Sequence, residues 1–192
     1  MDSTNNVQNN EPVTNQINAN QVRDIFVSPL SRLAQRFKRL QEEVQQNQTV
    51  EDFLDDFKYY NTELDGRSMP DKLQDGGFNS IEIRRATLRK HKYWKKMEKN
   101  KFYETAQKID LEIFSFINHN FESYIEPLIE KKANTSEIKL AVREKVVNPI
   151  CELLNEHGAY DDFLNYDMDD IYGMIFFLTG KCHLNWTIYD NV

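Results

Sequence analysis

Residues 102–127 read FYETAQKIDLEIFSFINHNFESYIEP. Within them Phe102, Ala106, Ile109, Ile113, Phe116, Ile117, Phe121, Tyr124 and Ile125 recur at steps of three and four, until Pro127 removes an N–H the helix needs. That period predicts one long helix with a single buried side. Elsewhere apolar and polar residues never alternate strictly between turn signals, and the 192 residues hold only 6 glycines and 5 prolines. The expected architecture is all-α, a single domain of about five to six helices.

Cap and stop signals divide the rest of the chain. Residues 1–22 are rich in Asn and Gln, cannot bury enough apolar surface to offset their ordering entropy, and read as a disordered tail. A leading amphipathic helix is placed within 23–48, opening at Ser28-Pro29 and carrying Leu33, Ala34, Phe37, Leu40 and Val44 on one stripe. The remaining domain spans 49–192. Its first helix is expected from Thr49, with Glu51 and Asp52 in the first turn and Phe53, Leu54 and Phe57 facing inward. Residues 61–80 hold Asp65-Gly66, Pro70 and Gly76-Gly77 and form the major connector, with Met69 and Leu73 pinning one short helical turn. Asn79 or Ser80 caps a helix towards Asn100 whose few apolar residues include Ile81, Leu88, Trp94 and Met97. Asn134 to Glu137 supply capping chemistry for another helix; Pro149 cannot donate to the carbonyl of Lys145, which predicts a kink before a stop at Gly158. The last helix starts near Asp167, is apolar nearly all round from Ile171 to Leu178, and ends at Thr179-Gly180, with an extended tail beyond.

Charge narrows the function classes. With 24 basic and 31 acidic side chains the net charge is −7, which argues against a dedicated polyanion binder by bulk electrostatics. No apolar run approaches the roughly 18 residues of a membrane span, and the polar start carries no leader pattern, so no membrane contact and a cytoplasmic location are expected. Cys151 and Cys182 have no CxxC spacing and read as thiols of a reducing compartment.

Catalytic signals are weak. Cys182 and His183 adjoin each other, but adjacent side chains point apart and no paired-ligand spacing supports a zinc site, so neither a metal nor another cofactor is expected. Their bland reading is a buried Cys and a His capping the last helix. Glu51, Asp52, Asp55 and Asp56 would share helix faces at i,i+4, a pattern of solvated surfaces more often than of converging catalytic acids. Phosphate-cradling glycine motifs and nucleophile elbows are missing from the sequence, and no catalytic residue is assigned.

The basic stretch from Arg84 to Lys108 is the most suggestive patch. It includes Arg84, Arg85, Lys92, Lys95, Lys96 and Lys99 interleaved with His91, Tyr93 and Trp94, a pattern able to meet a phosphate backbone with an aromatic free to stack. Charge matching competes with that reading, because residues 151–192 carry eight acids and one base. A plain solvated face is the third reading.

The final apolar block also divides two ways: its aromatics complete the core, or some of them dock on another subunit. Residues 51–60 (EDFLDDFKYY), 71–78 (DKLQDGGF), the pair Ala106-Gln107, Val147-Asn148-Pro149-Ile150, and above all Gly173-Met174 followed by Leu178-Thr179-Gly180, Cys182-His183 and Trp186 occur in order. Together, from about Thr49 to Trp186, they resemble the C-terminal domain of bacterial ABC-three component systems, a class of anti-phage defence modules that includes Lamassu-like systems. The resemblance implies a domain that tethers an effector, commonly a nuclease, to an SMC-like ABC ATPase and a small middle subunit of the same operon. Only about 48 residues precede the similar region here, a tail and one helix, too few for a nuclease fold. The expectation is a non-enzymatic adaptor docking through Met174, Phe177, Leu178, Cys182, His183 and Trp186, with DNA contact through the complex. The alternative is a helical DNA-binding protein using 84–108.

Overall fold

The computed structural model describes residues 31–62 and 66–188, and among them every regular element is a helix. The all-α expectation holds. The tail over 1–22 and the helix opening at Ser28-Pro29 lie outside the described residues. Helix α1 (Arg32–Gln46) is capped by Ser31, whose Oγ accepts from the Ala34 amide at 3.1 Å. There follow α2 (Asp55–Asn61), α3 (Met69–Asp75) and α4 (Ser80–Asn100). The long helix α5 runs as Glu104–Asn120, a π-helical segment Phe121–Ile125, and Glu126–Glu130; α6 repeats the scheme as Thr135–Ala141, Val142–Val147 and Asn148–His157; α7 is Met168–Gly180.

Seven helical rods result because the short turn at Met69 is a helix of its own, with Ser68 as cap and Pro70 where no N–H is missed. The expected helix start at Thr49 moves to Asp55, so Glu51 and Asp52 share no helix face with Asp55 and Asp56. Tertiary bonds hold the 49–54 backbone out of the helix: Val50 N–H donates to the Phe102 carbonyl at 2.7 Å, and Leu54 N–H to Gln107 Oε1 at 2.7 Å.

Pro127 and Pro149 each follow a π segment with one residue between. In α5 the Glu126 amide reaches back five residues to the Phe121 carbonyl, and in α6 Asn148 reaches Arg143 in the same way. The wide turn shifts the backbone that a proline ring would strike, so α5 passes Pro127 instead of stopping there. The Lys145 carbonyl, left without the Pro149 donor, accepts from Asn120 Nδ2 at 3.0 Å, which ties the two irregular stretches together.

The core lies where α4, α5 and α7 meet. Tyr93, Phe114 and Phe177 are fully buried and pack ring on ring, extended outward by Phe57 and Trp94. Phe114 takes the inward place expected of Phe116, which is exposed along with Phe102 and Tyr124. Helix α5 has no cap of its own, and α1 supplies one: buried Glu43 accepts from the Thr105 amide at 3.1 Å and from its hydroxyl at 2.5 Å, placing a carboxylate at the positive end of the helix dipole.

Candidate functional site

Helix α4 carries the densest run of cations and packs more extensively on α7 than any other described pair of helices does. Its start is fixed by a reciprocal cap: the Asn79 side chain accepts from the Ile81 and Glu82 amides at 3.0 Å, and Glu82 accepts from the Asn79 amide at 2.9 Å. Asp167 and Asp170 build the same device at the start of α7. The two helices touch at Gly173, where an added Cβ would stand 2.6 Å from the Arg89 carbonyl oxygen and 2.7 Å from Tyr93 Cβ.

At this seam the charges of α4 and α7 interlock. Fully buried Asp170 lies 2.7 Å from Lys96 Nζ and 3.3 Å from Lys92 Nζ; Asp167 lies 2.8 Å from Lys92, and Asp169 lies 2.9 Å from Arg89. Beneath them buried Asp110 of α5 accepts from the Tyr93 hydroxyl at 3.1 Å and from the Tyr166 hydroxyl. Burial pushes the Asp110 carboxyl up to about 7 and both phenols well above their ordinary value. Charge matching within the chain, one of the three readings of the basic stretch, therefore accounts for Lys92 and Lys96.

Further out on α4 the pairing stops. Arg84, Arg85, Lys95 and Lys99 are exposed and make no ion pair or hydrogen bond among the described residues. Ile81 and Leu88 stand among them, each 63% exposed. Tyr93 is fully buried and Trp94 stacks on Phe177, so two of the three rings expected to meet nucleobases face the core, and His91 alone is exposed. Beside this ridge, Phe78, Val142, Tyr172 and Phe176 floor a notch of about 200 Å³ whose lip includes Arg85 and Lys139. Arg89 lies 4.6 Å over the Tyr172 ring, and Lys139 pairs with Glu82 and lies 5.0 Å over Phe78.

The closing block divides between core and rim. Met174, Phe177 and Leu178 are fully buried, and Trp186 is nearly so. Trp186 Nε1 donates to the Thr179 hydroxyl at 3.0 Å, that hydroxyl donates to the Ile175 carbonyl at 2.9 Å, and Gly76 lies so close that a Cβ there would stand 2.6 Å from Trp186 Cβ. The described part of the tail is thus folded back in turns rather than extended. These four side chains hold the domain together, and of the six residues expected to dock a partner only two stand at the rim of the block. Cys182 and His183 form that rim. Cys182 adopts φ +70° as the left-handed residue that ends α7, with its amide on Thr179 and that of His183 on Leu178, a place expected of Gly180. The His183 ring does not cap α7. It crosses to α2, packs on Tyr59 and Tyr60 at centroid distances of 5.2 and 5.0 Å, and has its pKa lowered by burial.

No three His, Cys, Asp or Glu side chains gather as a metal-ligand set among the described residues, and Cys151 and Cys182 form no disulfide. No described helix is long and apolar enough to cross a membrane. Sequence reasoning missed Gln107, whose amide donates to the Lys101 and Asp52 carbonyls at 2.6 and 3.2 Å while its oxygen takes the Leu54 amide. The pairing Ala106-Gln107 was visible as a motif, but its partners lie across a loop.

Residues 68–186 match the family described as C-terminal domain 9 of the ABC-three component (ABC-3C) systems. The match begins at Ser68, leaving the similar-looking stretch 51–60 outside it. No curated protein and no solved structure matches the chain. Its terminal string from Gly173 to Trp186, which closes the α4–α7 seam and the tail over it, lies wholly inside the matched region, and with more than half of its length covered the chain belongs to the C-terminal domain 9 family of the ABC-three component systems.

Proposed function

We propose that this protein is a non-enzymatic adaptor of an anti-phage ABC-three component complex, of the Lamassu-like kind, that joins an effector subunit to an SMC-like ABC ATPase encoded beside it. The observation that carries the reading is family membership over 68–186. Its chemistry is consistent with that role: the acids at the start of α7 are engaged with Arg89, Lys92 and Lys96 in holding two helices together. Co-expression with the products of neighbouring genes tests it. A stable complex with the ATPase or the effector is expected, and a chain that purifies alone in the presence of both contradicts the proposal.

A second reading, a helical DNA-binding protein, is favoured by one observation: Arg84, Arg85, Lys95 and Lys99 face solvent and form no ion pair with a described carboxylate. It predicts duplex binding that falls steeply with salt and is lost on Arg84→Glu/Lys95→Glu/Lys99→Glu. Lys96 is unsuited to such a test, because its ammonium neutralises buried Asp170.

A further inference from the structure

The outer face of α4 is a ridge of mixed character. Ile81, Arg84, Arg85, Leu88, Lys95 and Lys99 are linked by spacings of three, four and seven, so they share one side of the helix, with Lys92, paired to Asp167, at its edge. Two large aliphatic side chains, 63% exposed and seven residues apart, are set between cations that form no ion pair with a described acid, although Glu82 lies near enough to Arg85 to feel its charge. Arg85 belongs both to the ridge and to the lip of the notch floored by Phe78, Tyr172 and Phe176, so ridge and notch form one continuous surface.

We infer that this surface docks an acidic amphipathic segment of a partner subunit, which lays aliphatic side chains against Ile81 and Leu88, sets carboxylates on Arg84, Arg85, Lys95 and Lys99, and places one apolar side chain in the notch. The inference rests on the adaptor reading and names the partner's chemistry. Three features favour such a segment over nucleic acid. Single-stranded binding sites combine cations with large aromatic platforms, but Tyr93 and Trp94 of this helix are turned inward and only the small His91 ring is exposed. Leu88 and Ile81 offer nothing to a phosphate, whereas an i,i+7 aliphatic pair is the contact a facing amphipathic helix makes. A notch of about 200 Å³ admits one side chain at the end of that contact, the kind of buried anchor that dominates protein interfaces. The positive sign follows from subtraction: the α7 acids nearest this helix are held by Arg89, Lys92 and Lys96, leaving the outer cations to an external anion.

The test uses the full chain co-expressed with the products of its adjacent genes. Leu88→Ser and Arg84→Glu/Arg85→Glu each leave the melting temperature unchanged and weaken retention of the partner by about tenfold or more. A photo-crosslinking phenylalanine analogue at position 88 attaches to a partner segment rich in Asp and Glu. If wild type retains a partner and neither variant weakens it, the docking surface is overturned while the adaptor reading stands. If wild type retains no partner, both fall. If Arg84→Glu/Arg85→Glu abolishes binding to a duplex DNA oligonucleotide and Leu88→Ser changes neither that nor partner retention, the ridge is a nucleic-acid contact and the inference is overturned. Attachment to a partner segment free of acids overturns it as well.

Discussion

Neighbouring rows of one helix carry the same kind of residue and do different things. Towards α7, Arg89, Lys92 and Lys96 meet Asp169, Asp167 and Asp170, and the carboxylate they surround is fully buried. Towards solvent, Arg84, Arg85, Lys95 and Lys99 meet no described acid. A count of basic residues treats the two sets alike. Burial separates them, because a buried carboxylate without its cation costs several kcal/mol, whereas an exposed cation without its anion costs almost nothing. The inner cations are therefore needed for the fold, and the outer ones are available to a partner.

The sharpest way to break this contrast is Asp170→Ala, which removes the carboxylate that Lys92 and Lys96 share and half of the α7 cap; because both ammoniums keep access to water, a loss of about 2–3 kcal/mol in urea unfolding is expected. A loss below about 1 kcal/mol would mean that the seam is not held by charge. Gly173→Ala presses a methyl against the Arg89 carbonyl and Tyr93 at the crossing, with an expected cost of about 1–3 kcal/mol. The adjacent lysines sharpen the contrast further. Lys96→Ala leaves buried Asp170 to Lys92 alone and costs about 1–3 kcal/mol, while Lys95→Ala stays within about 0.5 kcal/mol.

The seam also has a pH signature. Burial raises the folded Asp110 carboxyl to about 7 from an ordinary 3.8, so between those values the native protein holds a proton that the unfolded chain releases. Its contribution is complete below about 3.8 and is lost as pH climbs through about 7. Denaturation midpoints of the wild type fall over that window, and Asp110→Asn flattens the slope. An unchanged slope in the variant would locate the proton elsewhere.

Much of the fold was legible because helix signals are local. The caps at Asn79, Asn134 and Asp167 and the stop at Gly158 are read from adjacent residues, and the structure uses each of them. What failed depended on distant partners. The start of α2 is delayed by bonds from Phe102 and Gln107, and α5 is capped by Glu43 of another helix. Phe114 and Phe116 differ by two positions, too little for periodicity alone to choose between them. At the candidate site, sequence found the basic helix and the closing block but could not divide either. That division depends on which side of α4 meets α7, a property of packing and not of spacing. The string Gly173 to Trp186 closes the core: Gly173 permits the crossing, and Thr179 holds Trp186.

The central claim is that the closing block holds the domain while the outer face of α4 meets the partner. Hydroxyl-radical footprinting of the full chain, alone and bound to its co-expressed neighbour, measures both at once. The account predicts that Ile81 and Leu88 react freely in the isolated chain and become protected in the complex, while Met174 and Phe177 are protected in both. Unchanged reactivity at Ile81 and Leu88, with new protection at Cys182 and His183 alone, would contradict it.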